Sequence, residues 1–200
     1  ASMTAAFGVS KFDMAKEAAI LATESLQPED RIGILSFDTG TLWVVPFQQG
    51  GDGASLASIQ EQIGQLPSGG GTDIEQALAT GLPPLAEQPV SVRHAVLLTD
   101  GRSFSNNFGA YQQLVEAARA AEISLSTIAI GEDSDTVLLE QLARWGNGRY
   151  YFADEPEDIP RLTLLESEIA RADPVVEGDL QASLSQAHPI VRDFSPAELP

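Results

Sequence analysis

From Arg31 onward, short apolar runs of strand length alternate with longer stretches of helical period, and this alternation narrows the possible folds more than any other feature. Arg31-Ile-Gly-Ile-Leu-Ser-Phe37 reads as a strand. Asp38-Thr39-Gly40 reads as a turn, and Thr41 to Phe47 as a second strand paired to the first through a hairpin. Residues 54–66 place Leu56, Ile59, Ile63 and Leu66 on one helical face. Pro67-Ser-Gly-Gly-Gly71 then interrupts the chain. Thr72-Asp-Ile-Glu75 has the spacing of a capping box, and the helix it opens is expected to end near Leu82, before Pro83 and Pro84. Val92 to Thr99 is almost continuously apolar, as in a parallel strand buried on both faces, and it runs into Asp100-Gly101. A helix over 109–121, a strand over 123–130, a helix over 134–145, a short strand Tyr150-Tyr-Phe152 and a helix over 156–172 complete the series. Upstream, Phe12, Ala15, Ala19, Ala22 and Leu26 give residues 11–27 an apolar helical face, with Ser10 as its cap. The expected fold class is α/β: a doubly wound, mostly parallel sheet flanked by helices, with right-handed crossovers.

The 200 residues suffice for one full-sized domain. Residues 173–200 differ in character, with prolines at 174, 189, 196 and 200. They read as a tail or linker with room for one strand where Leu180, Ala182 and Leu184 alternate. No apolar run reaches membrane-spanning length, so direct insertion by this segment is not expected. Twenty-nine acidic residues against 11 basic ones give a net charge of −18. Such a surface repels phosphate backbones and anionic headgroups, which excludes nucleic acid as an expected partner. Cysteine is absent, so no disulfide, thiolate metal site or cysteine nucleophile can exist.

Open α/β sheets bind ligands beyond the carboxyl ends of their strands. The side chains expected there are Ser2, Ser10, Thr72, Asp73, Thr99 and Asp100, all oxygen donors, which suits a hard ion such as Mg²⁺ or Ca²⁺. Taken alone, Thr72 is best read as a helix cap, and Asp100-Gly101 reads equally well as a strand-end turn or as part of a site; together, in one frame, they point to a site. Glu132-Asp-Ser-Asp135 reads as a solvated helix start. Enzyme chemistry is not expected. The only histidines are His94, which opens a strand, and His188 in the tail, and Gly101-Arg-Ser103-Phe-Ser lacks the final glycine of a nucleophile elbow. Gly69-Gly-Gly71 is not followed by the Lys-Ser/Thr of a phosphate-binding loop.

These pieces, in this order, resemble the von Willebrand factor type A (VWA) domain in its bacterial forms. Ala1-Ser2-Met3 looks like the end of the family's D-x-S-x-S-M loop, and Lys11 to Ala19 like its first helix. Glu29 to Phe37 is similar to its second strand. Gly70-Gly71-Thr72-Asp73-Ile74 matches its threonine loop, and Leu97-Leu98-Thr99-Asp100-Gly101 its aspartate strand end. Ile128 to Gly131 and Leu139 to Tyr151 resemble its closing elements, so the likeness spans residues 1–172. It implies a metal-ion-dependent adhesion site, in which Ser2, Thr72 and Asp100 hold Mg²⁺ or Mn²⁺, with Ca²⁺ as a further candidate. Asp73, Gly101 and Ser103 would form the rim, and the carboxylate of a partner protein would complete the ion's shell. The function implied is non-catalytic protein binding. The alternatives are an α/β enzyme or nucleotide-binding fragment, and a structural domain whose metal site has degenerated.

The family's first strand, motif aspartate and first motif serine would stand before Ala1. The expectation is therefore a truncated domain whose sheet lacks its middle strand, leaving neighbouring strands adhesive and open to a strand-swapped oligomer. Pro189-Ile-Val-Arg-Asp193-Phe-Ser195 is a short apolar run followed by D-x-S that offers a stand-in. The stretch Asp173 to Phe194 loosely resembles the segment downstream of VWA domains in some membrane-anchored bacterial proteins with a glutamine-amidotransferase-like domain, which implies an extracytoplasmic parent.

Overall fold

The computed structural model describes residues 10–50, 53–67, 70–155 and 157–171. Ser2, the stretch around Leu180 to Leu184 and Pro189 to Ser195 lie outside them. Within them the alternation becomes helix α1 (Lys11–Glu24), strands β1 (Arg31–Phe37) and β2 (Thr41–Gln49), helices α2 (Gly53–Gly64) and α3 (Ile74–Ala86), strand β3 (Arg93–Thr99), helix α4 (Phe108–Ala120), strand β4 (Ile123–Ile130), helix α5 (Thr136–Trp145), strand β5 (Asn147–Ala153) and helix α6 (Asp158–Arg171).

The strands form two sheets among the described residues. β1 and β2 are an antiparallel pair, and β3, β4 and β5 are parallel in that order. Period-two alternation sends successive side chains of β4 to opposite faces. Ile123, Leu125 and Ala129 pack with Ile74, Leu78 and Leu82 of α3, Tyr111 and Val115 of α4, and Leu138, Leu139 and Leu142 of α5. Ile128 and Ile130 face the other way, onto Met14 and Ala18 of α1 and Ile159 and Leu162 of α6. Each such fully buried aliphatic side chain contributes about 1.5–3 kcal/mol. A third cluster seats Ile59 and Ile63 of α2 on Val45 of β2. Helix α3 touches strands of both sheets, and Phe37 of β1 packs into the cluster that holds Leu97 of β3. The two sheets therefore share a helical cover.

Two boundary expectations are corrected. Helix α3 does not stop at Leu82 but continues through Pro83 and Pro84 to Ala86. The prolines remove N–H groups that the Ala79 and Thr80 carbonyls would otherwise receive. Leu82 is drawn into the core and Leu85 packs against it, which compensates, and Gln88 Nε2 donates to the Pro84 carbonyl at 2.8 Å. The cap of α3 is Asp73 rather than Thr72. No helix among the described residues is long and apolar enough to cross a membrane.

Candidate functional site

The carboxyl ends of β3 and β4, the β1–β2 turn and the loops before α3, α4 and α5 converge at one pole. Main-chain hydrogen bonds hold them there. Asp73 N donates to Asp38 O at 2.8 Å, Phe104 N to Thr72 O at 3.1 Å, and Asp135 N to Gly101 O at 3.4 Å. Lys11, in the first turn of α1, reaches the same pole, its Nζ donating to Ile130 O at 3.4 Å.

Asp73 caps α3 because its carboxylate accepts from Gln76 N at 3.0 Å, while its carbonyl accepts from Ala77 N at 3.1 Å. The cap being taken, the Thr72 hydroxyl is not needed for it, and it lies against Gly101. A β-carbon at Gly101 would collide with Thr72 Oγ1, so only glycine permits this approach. Gly101 follows Asp100, which is buried at 5% exposure where β3 ends. The tight exit from the strand is closed by Gly101 N donating to Thr99 Oγ1 at 3.3 Å. A carboxylate taken out of water is costly unless hydrogen bonds or a cation compensate.

The other expected residues are placed less simply. The Ser103 side chain is buried and fastens the loop. Its Oγ accepts from Ile74 N at 3.2 Å and from the Tyr111 hydroxyl at 2.6 Å. Ser10 is occupied as the cap of α1, accepting from Asp13 N at 3.1 Å and donating to Asp13 Oδ2 at 2.7 Å. Asp38, expected as a turn residue, accepts from Gly40 N at 2.8 Å and also stands beside Gly70, bringing the hairpin tip to the threonine loop. Thr72, Asp100 and Gly101 are thus brought together, with Asp73 and Ser103 anchoring the loops around them.

These donors fit a hard ion. Among the described residues no three His, Cys, Asp or Glu side chains cluster closely enough to hold a metal, so any ion here would rely on few carboxylates and on hydroxyl and water oxygens. Mg²⁺ accepts such a set because it retains several waters and takes only one or two carboxylates.

Sequence reasoning missed a second polar centre at the opposite pole. Glu166 of α6 is fully buried. Its Oε1 accepts from Ser126 Oγ at 2.5 Å and from Arg149 Nη1 at 3.2 Å, and its Oε2 accepts from the Tyr151 hydroxyl at 2.6 Å. His94 Nε2 stands 3.0 Å from Oε1, off hydrogen-bonding alignment. Burial raises the Glu166 carboxyl, but its contacts with His94, Ser126 and Tyr151 outweigh that and lower it to about 2. Burial and then the bond to Glu166 push the Tyr151 phenol up to about 12. The signal was present: Glu166 falls seven residues after Ile159, on the face carrying Leu162 and Thr163, where the helical period calls for a buried residue.

The same chain has relatives among known proteins. The sequence matches a family model described as von Willebrand factor type A domain over residues 3–152. It is 27% identical over 144 residues to an uncharacterised protein, sll0103, of the cyanobacterium Synechocystis; the match covers 72% of this chain and 34% of that protein. Among solved structures it superposes on a von Willebrand factor type A protein from Catenulispora acidiphila with a TM-score of 0.73 and 23% identity, over 80% of this chain and 38% of that one. It also superposes on proximal thread matrix protein 1 of the mussel byssus, in a form whose MIDAS motif is occupied by zinc. There the TM-score is 0.64 and the identity 17%, over 80% of this chain and 43% of that one. At these identities the structural likenesses speak to fold. The chain spans about a third of the length of the curated relative it matches.

Proposed function

Because the chain belongs to the von Willebrand factor type A family, we propose that its Thr72–Asp100 pole holds a divalent cation and captures a carboxylate of a partner protein through it, without catalysis. The observation that carries the reading is the release of Thr72 from capping duty. Asp73 takes the cap, Gly101 has no side chain to intervene, and the Thr72 hydroxyl is left against Gly101, the residue that follows buried Asp100. A structure of similar fold, the mussel protein with a zinc-occupied MIDAS motif, supports reading this chain as one able to hold a metal.

Asp100 would hold the ion as the charged ligand, and Thr72 would hold it through its hydroxyl. Ser2, outside the described residues, is the third proposed ligand. The ion, when bound, supplies positive charge with coordination positions open to an external oxygen. One carboxylate does not neutralise a divalent charge, so the remainder attracts an acidic group. Asp73 and Ser103 fix the two loops, and Gly101 keeps them close. Mg²⁺ and Mn²⁺ are the proposed occupants, with Ca²⁺ a weaker fit because it demands more oxygens than this set offers.

The test is a calorimetric titration of the EDTA-stripped chain with Mg²⁺ and Mn²⁺. Saturable binding is expected, abolished by Asp100→Ala and weakened about tenfold by Thr72→Val, which corresponds to about 1.4 kcal/mol. Absence of saturable binding at millimolar ion would leave a structural domain with a degenerate site.

A further inference from the structure

We infer that the partner segment is not merely acidic: it presents its carboxylate flanked by bulky apolar side chains, which dock on an apolar ring around the pole. This inference rests on the proposed function and adds the partner's chemistry to it.

Large apolar side chains are exposed at Leu42, Val92, Phe104, Phe108, Val137, Phe152 and Leu165 among the described residues. Their distribution is lopsided, and five of them lie at the candidate site's pole. Phe104 is 66% exposed, its N–H is bonded to the Thr72 carbonyl, and its ring lies where a β-carbon on Gly71 would be. Phe108 opens α4 on the same loop. Val137, 65% exposed, follows two residues after Asp135, whose N–H meets Gly101 O. Phe152 pairs in register with Ala129, which pairs with Thr99, so it stands level with the end of β3. Leu42 pairs with Ser36, one step from the turn whose Asp38 carbonyl accepts from Asp73 N. Scattered exposed apolar residues need no explanation, but a ring at one pole marks a contact surface.

Ser103, Tyr111 and the Asn107 cap of α4 tie down the loop that carries the two phenylalanines, which lowers the backbone ordering a partner must impose.

Charge selects the occupant. The chain carries −18, and Asp38 and Asp73 stand at this pole. A bare carboxylate arriving here meets repulsion at short range and gains only one ion contact. Apolar burial of about 1.5–3 kcal/mol per side chain supplies what the carboxylate lacks. Arg102, exposed on the same loop, makes no hydrogen bond or ion pair among the described residues. It is a cation available to an acidic segment in a chain with only 11 basic residues.

The experiment uses immobilised synthetic peptides of equal length, each with a central glutamate flanked either by leucines or by serines, plus a leucine-flanked glutamine control. Binding of the whole chain is read by interferometry in Mg²⁺ and in EDTA. The leucine-flanked glutamate peptide is expected to bind at least tenfold tighter than the serine-flanked one. The difference should vanish in Phe104→Ser/Phe108→Ser, provided its melting temperature matches the parent's. Equal binding of the two glutamate peptides, or binding of neither while calorimetry shows the ion bound, overturns the apolar ring and leaves the metal reading standing. Equal binding of the glutamine control, or binding that persists in EDTA, overturns the metal reading on which the inference rests. Self-association of the parent in sedimentation equilibrium that Phe104→Ser abolishes assigns the ring to a second copy and likewise overturns the proposal.

Discussion

At the scale of single residues, two side chains carry most of the consequence. Gly101 has no β-carbon, and that absence is what allows the Thr72 hydroxyl to stand against the residue that follows Asp100. Gly101→Ala is expected to separate the two loops, lowering stability by about 1–3 kcal/mol and Mg²⁺ affinity by more than tenfold; thermal melts and calorimetry read the two effects separately. Glu166 is the other. Its carboxyl is lowered to about 2 in the folded chain from an ordinary value of 4.5. Such a group contributes its full stabilisation above 4.5 and loses it as pH falls toward 2, an effect on the order of 3 kcal/mol. Glu166→Gln should therefore be least stable relative to the parent at neutral pH, and the gap should narrow steadily in urea titrations below pH 4.5. A constant gap across that range would show that the charge of Glu166 is not what the buried partners require.

At the scale of elements, the order of strands and helices is legible in the sequence because period two and period 3.6 leave different apolar patterns, and because Gly and Pro mark most joints. Legibility fails where tertiary packing outweighs local preference. The end of α3 is one case: Leu82 and Leu85 hold the helix in the core across two prolines. The start of α3 is another. Thr72 and Asp73 are both competent caps by composition, and only the approach of the Asp38 and Gly101 loops determines which serves. This exchange yields a discriminating pair of variants. Asp73→Ala is expected to cost about 1 kcal/mol of stability through the lost cap while the proposed ion ligands Thr72 and Asp100 stay in place. Thr72→Val is expected to leave helix α3 intact and weaken the ion. Circular dichroism melts and metal titration of the two variants give opposite rankings if the roles are as assigned. The Thr72 and Asp100 motifs stand out in the sequence as candidates, whereas the anchoring by Ser103 and Tyr111 does not, since serine in a loop and tyrosine in a helix carry no mark of their pairing.

At the scale of the whole molecule, the described strands form two sheets under one helical cover, with β1 and β3 each paired on one side only among the described residues. β4 is paired on both sides. Amide hydrogen exchange should therefore protect β4 throughout, while alternate amides of β1 and β3 exchange faster. Uniform protection of β1 and β3 would place a further strand against them. The two poles also divide the labour. One gathers loops, oxygen donors and exposed rings; the other ties His94 of β3, Ser126 of β4, Arg149 and Tyr151 of β5 to a single carboxylate of α6. In evolutionary terms this second pole is one inherited character rather than five. A lineage that loses Glu166 removes the acceptor that the Tyr151 hydroxyl and Ser126 share, so substitutions at these positions should be concerted across relatives.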